Sequence, residues 1–289
     1  MSDQGSNPKQ KLLKGQINTN FGSVSASSQS DSKAKYPEMS NKVDFYVTYI
    51  RPPIAEFFGQ LIFTYLHCST AHTVMTVPSV MGNPLLPAIN DGLSVAILVI
   101  LIGHISGAHV NFAVTTAVFI GGGLKVVMVP VYLVAQLLGS LAGAALSYVA
   151  NGAASGEFAL GKDVSIGQGV LMETMLTALL TIAVLLAAVE LSTPNAAFAI
   201  GFSILIDILA SFGVTGGCMN PSLSFGPAVV SGMWTNYWIY WVAPLLGALI
   251  SATIFRLFLG GNARLLFRQT VNDPPGGLRK GLESSSDRP

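Results

Sequence analysis

Charged residues are scarce in this sequence, and cysteines are scarcer still. Lys, Arg, Asp and Glu make up 10% of the 289 residues, whereas soluble domains contain about 25%. The net charge of +1 gives no basic surface for a nucleic-acid partner. The two cysteines, Cys68 and Cys218, both lie in apolar surroundings, which argues against a disulfide framework. The polar N-terminal stretch of some fifty residues indicates no cleaved signal peptide.

Apolar residues make up 51% of the chain, and its 30 glycines are typical of helices that pack closely in lipid. The apolar residues are gathered in long runs, which predict membrane-spanning helices. Six such spans are expected, at about 54–75, 92–105, 126–149, 167–188, 196–212 and 238–259.

Two shorter apolar stretches, of about ten residues each, begin at Asn111 and Asn220. A helix needs roughly 20 residues to cross a bilayer, so each stretch predicts a half-helix. An Asn side-chain oxygen can accept an unpaired backbone N–H at a helix start, while its NH2 group can point into a lumen. Two half-helices that enter from opposite faces and meet end to end would complete one span.

The two halves of the chain repeat each other. Glu56 lies 55 residues before Asn111, and Glu173 lies 47 residues before Asn220. Three spans and one half-helix therefore occur twice, in repeats at about 50–150 and 165–260. Because three is odd, the second repeat must be inverted in the membrane relative to the first.

Basic residues predict the orientation. Of the fifteen Lys and Arg residues, seven lie at or before Arg51 and six lie at or after Arg256, while Lys162 alone falls in a loop on the other side. The positive-inside rule therefore places both termini in the cytoplasm. We expect a disordered cytoplasmic tail at 1–49, a channel domain at 50–260 and a cytoplasmic tail at 261–289.

Both Asn motifs resemble those of the aquaporin family. The segment at 103–109 reads Gly-His-Ile-Ser-Gly-Ala-His, and the segment at 219–228 reads Met-Asn-Pro-Ser-Leu-Ser-Phe-Gly-Pro-Ala. Within the family, Ile-Asp-Ile-Leu-Ala at 206–210 and Asn-Tyr-Trp-Ile-Tyr-Trp at 236–241 are similar to the aquaporin-8 subgroup. The resemblance implies an all-α membrane protein with six transmembrane helices and two re-entrant half-helices in an inverted repeat.

This resemblance also implies a passive, non-enzymatic channel without a cofactor, a homotetramer with one pore in each protomer. The permeants would be water and small uncharged solutes such as hydrogen peroxide or ammonia. Ser224 stands where glycerol-conducting members carry an Asp, which argues against that subgroup. A plasma membrane is expected, with an intracellular membrane as the alternative.

The pore centre implied by the resemblance consists of two motifs: Asn111, Phe112, Ala113 and Asn220, Pro221, Ser222. Two helix N-termini meeting there would oppose cations and protons. Phe112 departs from the family, which has a proline at this position. Its ring either packs into the wall of the bundle or narrows the middle of the pore.

The family's selectivity filter falls on four positions of this sequence: Asp91, Ile208, Gly217 and Leu223. Leu223 replaces the usual Arg, so we expect a mouth wider than that of a strict water channel. Asp91 has a second interpretation, because the acid in Asn90-Asp91-Gly92 could simply begin a helix and complement its dipole.

Three further groups are singled out. The resemblance implies that Glu56 and Glu173 accept hydrogen bonds from the re-entrant loops, with a transported-proton role as the alternative. Cys218 is a candidate mercurial site beside the pore. Asp207 is expected to be hydrogen-bonded inside the bundle, and His104 and His109 to be framework residues, not metal ligands.

A rival function is a structural or adhesive membrane protein with the same fold and a poorly conducting pore. Phe112 and Leu223 support this alternative, whereas the paired Asn and Glu residues oppose it, because a closed pore has no need of them.

Overall fold

The computed structural model describes residues 41–261 and 264–266. Nine α-helices lie within these ranges: α1 (Asn41–Phe45), α2 (Arg51–Thr76), α3 (Leu85–Ser106), α4 (Phe112–Ile120), α5 (Met128–Asn151), α6 (Ile166–Ala183), α7 (Ala196–Ser211), α8 (Pro221–Ser231) and α9 (Ile239–Ile254). A π-helical turn at Tyr46–Ile50 joins α1 to α2, and π-helical segments at Val184–Glu190 and Phe255–Leu259 extend α6 and α9.

Six long helices correspond to the six predicted spans. Among the described residues, four segments are long and apolar enough to cross a membrane: Leu85–Ser106, Met128–Asn151, Ile166–Glu190 and Ile239–Leu259. Helix α7 is apolar but has 16 residues. Helix α2 has 26 residues and is less apolar, because four buried polar side chains recur along one face at helical spacing: Glu56, Gln60, Thr64 and His67.

Helices α4 and α8 are the two predicted half-helices. They contain 9 and 11 residues, so placed end to end they would rise about 30 Å at ~1.5 Å per residue. That length matches the hydrocarbon core of a bilayer, which is roughly 30 Å thick. Each half-helix begins at the residue after its Asn.

The half-helices are exchanged between the repeats. Helix α2 packs against α5 in the first repeat, and α6 packs against α9 in the second. Helix α4, from the first repeat, packs against α9, whereas α8, from the second repeat, packs against α5. Helices α3 and α7 also contact each other across the boundary between the repeats, so the two repeats form a single bundle.

The crossing of α3 and α7 depends on Gly92 and Gly201. A Cβ atom at Gly201 would lie 2.5 Å from the carbonyl oxygen of Gly92, and a Cβ atom at Gly92 would lie 2.6 Å from the carbonyl oxygen of Gly201. No side chain fits between these backbones. Small residues at such crossings let helix backbones approach closely in membranes.

Two sequence predictions are corrected by these bounds. Residues 41–50 are helical, whereas a disordered tail was expected to reach residue 49. The rings of Phe45 and Tyr49 lie 5.4 Å apart, and the Lys125 ammonium lies 5.1 Å from the centroid of the Tyr49 ring, which gives this segment packing partners. Residues 1–40 of the expected tail, and most of the expected tail at 261–289, lie outside the described residues.

Helix α3 begins at Leu85, seven residues before the predicted start. The predicted span at about 92–105 left the prolines of the preceding segment outside the helix. Pro84 is instead the N-cap residue, and Pro87 lies in the first turn, where a helix has no hydrogen bond for the missing N–H to break. Asp91 is therefore well inside α3, and the interpretation that it begins a helix is wrong.

Candidate pore and its outer mouth

Asn111 and Asn220 cap the two half-helices. The side-chain oxygen of Asn111 accepts the backbone N–H groups of Ala113 at 2.8 Å and Val114 at 3.4 Å. The side-chain oxygen of Asn220 accepts the N–H groups of Ser222 and Leu223, both at 3.0 Å. Extended backbone at each Asn, with φ of −165° and −141°, is the usual N-cap conformation.

The same two Asn side chains also join the two loops to each other. The amide nitrogen of Asn111 donates to the carbonyl oxygen of Met219 at 3.0 Å, and that of Asn220 donates to the carbonyl oxygen of Val110 at 2.8 Å. Each Asn thus binds the carbonyl group that precedes the other Asn. Because an NH2 group has two donors, one N–H of each amide is left over for the cavity that both residues line.

Matching left-handed backbone turns precede the two Asn residues. The first loop has positive φ at Gly107, Ala108 and Val110 (89°, 49° and 37°), and the second has positive φ at the equivalent positions, Gly216, Gly217 and Met219 (84°, 71° and 53°). Such angles are rare outside glycine and cost about 1–3 kcal/mol each. Surrounding hydrogen bonds must therefore hold these turns in place.

Glu56 and Glu173 provide those bonds. The two carboxylate oxygens of Glu56 accept the N–H groups of His109 at 2.9 Å and Val110 at 2.7 Å. The oxygens of Glu173 accept the N–H groups of Cys218 at 3.0 Å and Met219 at 2.7 Å. Both acids are completely buried, and their contacts are those that the resemblance implied.

Gln136 is a further member of this network, which the sequence analysis did not identify. Its amide nitrogen donates to Glu56 at 2.9 Å and to the Thr115 hydroxyl at 3.1 Å. Its amide oxygen accepts the Ser222 hydroxyl at 3.0 Å. Gln136 therefore joins Glu56 to the start of α8. The signal available in the sequence was an amide side chain within the apolar run at 126–149.

A narrow cavity of about 50 Å³ runs past both Asn residues. Cys218 lines it, and so do all four predicted filter positions: Asp91, Ile208, Gly217 and Leu223. Most of its remaining wall is aliphatic, from α3, α6 and α7. A wider cavity of about 700 Å³ shares residues such as Val99, His109 and Ala188 with it and extends towards Arg264.

Four residues of the predicted pore centre lie outside this lining: Phe112, Ala113, Pro221 and Ser222. The half-buried ring of Phe112 points to α9, where its centroid lies 6.5 Å from that of Trp241. Of the two interpretations of Phe112, the structure has the one in which the ring packs into the wall.

Asp91 is 3% exposed and has two side-chain partners. One of its oxygens lies 2.8 Å from Nδ1 of His67, and the other accepts the Asn90 amide at 2.8 Å. His67, on α2, is a site residue that the sequence analysis missed. The available signal was its place on the polar face of α2, eleven residues after Glu56.

Gly217 and Leu223 form the apolar side of the mouth. Leu223 is 2% exposed, so an aliphatic side chain occupies the position at which the family usually has an Arg. A Cβ atom at Gly217 would lie 2.6 Å from the Ser211 hydroxyl and 3.0 Å from Cα of Ile208. Backbone alone therefore fits at this point of the wall.

Cys218 and Cys68 are both free and buried. The Cys218 sulfur donates to the carbonyl oxygen of Asn220 at 3.3 Å and lines the cavity. Asp207 departs from expectation. It is 2% exposed, and its Oδ2 atom has no hydrogen-bond partner in the described part of the chain, because the hydroxyl groups of Ser203 and Ser211, one turn away on either side, donate to backbone carbonyl oxygens instead.

His109 contacts the Thr115 hydroxyl at 3.1 Å through Nδ1, as a framework residue would. Across residues 41–261 and 264–266, no group of three His, Cys, Asp or Glu residues could hold a metal ion.

Comparison with known proteins identifies the family. The model described as "Major intrinsic protein" matches residues 42–255. Aquaporin-8 from Notomys alexis is 38% identical over 242 residues, which cover 80% of this chain and 91% of the relative. Aquaporin-8 from Rattus norvegicus is 38% identical over 227 residues, or 75% of this chain and 85% of the relative.

Human aquaporin-2 is 34% identical over 248 residues, or 83% of this chain and 88% of the relative. The solved structure of the aquaglyceroporin from Plasmodium falciparum aligns with a TM-score of 0.65 at 24% identity, covering 72% of this chain and 95% of that one. The chain therefore belongs to the major intrinsic protein family, the aquaporins, which are membrane channels for water or small solutes, and it is similar to aquaporin-8.

Proposed function

We propose that this chain is a passive water channel that also admits small neutral solutes such as hydrogen peroxide or ammonia. The reciprocal bonds between the two Asn residues and the carbonyl groups of Met219 and Val110 carry the proposal. They bring the N-termini of α4 and α8 to one point of the cavity, with an unused amide N–H on each side of it.

Electrostatics at that point favours water over cations. Each helix N-terminus carries about +0.5 of an elementary charge, and both N-termini lie where the cavity is narrow. Water can accept a hydrogen bond from Asn111 and then from Asn220 as it passes. A cation meets a positive potential in a wall of mostly aliphatic side chains, where little water is available to screen it.

The outer mouth supports the wider solute range. The usual Arg would narrow the mouth and offer several fixed donors, whereas Leu223 offers none. Gly217 adds no side chain. Neutral solutes slightly larger than water therefore meet fewer steric and hydrogen-bonding demands there. The similarity to aquaporin-8 supports water as a permeant. The wider solute range is our inference from Leu223 and Gly217.

We further propose a homotetramer in the plasma membrane, or in an intracellular membrane, with both termini in the cytoplasm. The support is the family and the distribution of Lys and Arg along the chain. The channel would act without a cofactor and without enzymatic chemistry.

Purified protein in lipid vesicles tests the proposal. Osmotic shrinkage should be faster than in empty vesicles, hydrogen peroxide should enter faster, and Na⁺ should not. Ile204 lines the cavity and Phe202, on the same helix, is 52% exposed on the outside. Ile204→Trp should therefore abolish the added water flux, and Phe202→Trp should leave it intact. If vesicles that contain folded parent protein shrink no faster than empty vesicles, the result would support the alternative function, a structural or adhesive membrane protein.

A further inference from the structure

His67 lies between two oxygen atoms, one from Asp91 and one from Gly156, at the end of the cavity that Asp91 lines. Its Nδ1 atom is 2.8 Å from Oδ2 of Asp91, and its Nε2 atom is 3.0 Å from the carbonyl oxygen of Gly156. The ring is 7% exposed and stacks on Phe158 with centroids 5.0 Å apart. Both ring nitrogens are therefore occupied, and the orientation of the ring is fixed from three sides.

The hydrogen count of this arrangement is determined by its partners. A backbone carbonyl can only accept, so Nε2 must carry a hydrogen to bond Gly156. If Asp91 is ionised it too can only accept, and Nδ1 must carry a second hydrogen; if Asp91 is protonated, it donates to Nδ1. In either case His67 and Asp91 together hold one proton more than a neutral imidazole and a carboxylate, and the pair has no net charge.

We propose that His67 is a positioning residue for the selectivity filter, whose shared proton cancels the charge of Asp91 and aims its carboxyl group at the cavity. This inference rests on the proposed function, because it concerns what the filter presents to a permeant. With the proton bound, the mouth is neutral at this point. When the proton leaves, the pair carries a charge of −1 in the wall of the narrow cavity.

The other groups around His67 come from the loop at Gly156, from α3 and from α2 itself. The loop that carries Gly156 also carries Glu157, whose Oε2 atom is buried without a hydrogen-bond partner among the described residues. From α3, Asn90 donates to Asp91, and from α2 itself the neighbouring titratable group is the Cys68 thiol. Ser155 donates to the carbonyl oxygen of Cys68 at 2.9 Å, which ties the loop to α2 beside the pair.

Block of water flux by guanidinium ion reports the charge of the mouth. In the parent, raising the pH from about 6 to about 9, across the range in which histidines release protons, should lower the half-blocking concentration about fourfold. That factor is the smallest expected, because it takes two unit charges about 5 Å apart at the dielectric constant of water, and the aliphatic wall provides less screening. His67→Gln keeps a donor but cannot hold the extra proton, so its half-blocking concentration should be low at every pH.

Asp91→Asn removes the charge, and both Asp91→Asn and the double variant His67→Gln/Asp91→Asn should have the high value at every pH. Cys68→Ser is the matched control for the thiol and should keep the parent's profile. A flat profile in the parent would overturn the inference, as would a His67→Gln profile that equals the parent's. If His67→Gln does not fold, the parent and Asp91→Asn profiles decide the question.

A measurement without flux separates this inference from the proposed function. The chain has four histidines, and nitrogen-15 NMR of the reconstituted protein distinguishes protonated from unprotonated ring nitrogens. The signals lost in His67→Gln should show Nε2 protonated at neutral pH, and Asp91→Asn should change the Nδ1 signal. An unprotonated Nε2 would overturn the inference even if the water flux is normal, whereas absent flux with these signals present would overturn only the water-channel proposal.

Discussion

Glu56 and Glu173 occupy equivalent positions in the two repeats, yet the side-chain donor to Glu56 comes from another helix, whereas the donor to Glu173, Thr215, lies in the re-entrant loop itself. Gln136 donates to Glu56 from α5. In the second repeat Pro244 stands at the matching position of α9, three residues before Gly247, just as Gln136 stands three residues before Gly139. Proline has no side-chain donor, so the two loops are held by related but unequal networks.

This difference predicts unequal costs for Glu56→Gln and Glu173→Gln. Each change replaces an acceptor oxygen with an NH2 group that faces a backbone N–H, at a cost of about 1–3 kcal/mol for an unsatisfied buried donor. Glu56→Gln should lower the free energy of unfolding more, because the Gln136 amide that loses its charged partner joins three helices, whereas Thr215, the donor to Glu173, lies in the same loop as Cys218. Thermal unfolding in detergent measures both variants, and equal losses would contradict the role given to Gln136.

Asn220→Asp should open a cation leak. The change places an anion where the N-termini of α4 and α8 converge and removes an amide donor, which lowers the barrier to Na⁺. Sodium flux into vesicles measures it. Asn236→Asp adds the same charge in the turn before α9 and should not leak. If folded Asn220→Asp vesicles are as tight as the control, Asn220 does not set the barrier.

Mercury should slow water flux by reacting at Cys218, because its sulfur lines the cavity. Stopped-flow shrinkage should show block in the parent and none in Cys218→Ser. Cys68→Ser, which removes the other buried thiol, should remain sensitive. Persistent block in Cys218→Ser together with loss of block in Cys68→Ser would show that mercury reacts at Cys68 instead.

Leu223→Arg should restrict the mouth. The new guanidinium can bind Asp91 in competition with His67, and it adds bulk and donors to the narrow cavity. Peroxide and ammonia fluxes should fall more than water flux, so the ratio of solute to water permeability should decrease. Leu223→Met keeps the volume and the apolar character and should retain the parent's ratio. If the ratio of solute to water permeability is unchanged in Leu223→Arg, Leu223 does not line the constriction.

Gly201→Ala should destabilise the bundle. Its methyl group would lie 2.5 Å from the carbonyl oxygen of Gly92 and 2.8 Å from Cβ of Ala96, and overpacking of this kind costs about 1–3 kcal/mol. Gly103→Ala is the matched control on α3, where the nearest atom to the new Cβ is 3.7 Å away. Thermal unfolding should show a loss for the first variant and little change or a gain for the second.

Local sequence signals predicted most of the fold and the two Asn residues that cap the half-helices. The Asn caps, the short apolar stretches and the repeated acids depend on a few neighbouring residues and on spacing, so they could be identified without coordinates. The predicted start of α3 was wrong because it left the prolines before residue 92 outside the helix, whereas the first turn of a helix accommodates proline.

The outer mouth could not be predicted in the same way. His67 and Asp91 are 24 residues apart on different helices, and only the packing of α2 beside α3, together with the fold of the loop at Gly156, brings them together. The contacts of Gln136 and the orientation of Phe112 likewise depend on how the half-helices α8 and α4 pack against α5 and α9. No periodicity in the sequence records such contacts.

The exchange of α4 and α8 between the repeats has a consequence for how such a pore can arise. Each half-helix packs mainly against the other repeat, α4 against α9 and α8 against α5. A chain of half this length could build the same pore only as an antiparallel dimer of two identical copies inserted in opposite orientations. Fusion into one chain fixes the orientation of each half, and it frees the two halves to diverge, as Gln136 and Pro244 have done at one pair of sites and Asp91 and Ile200 at another.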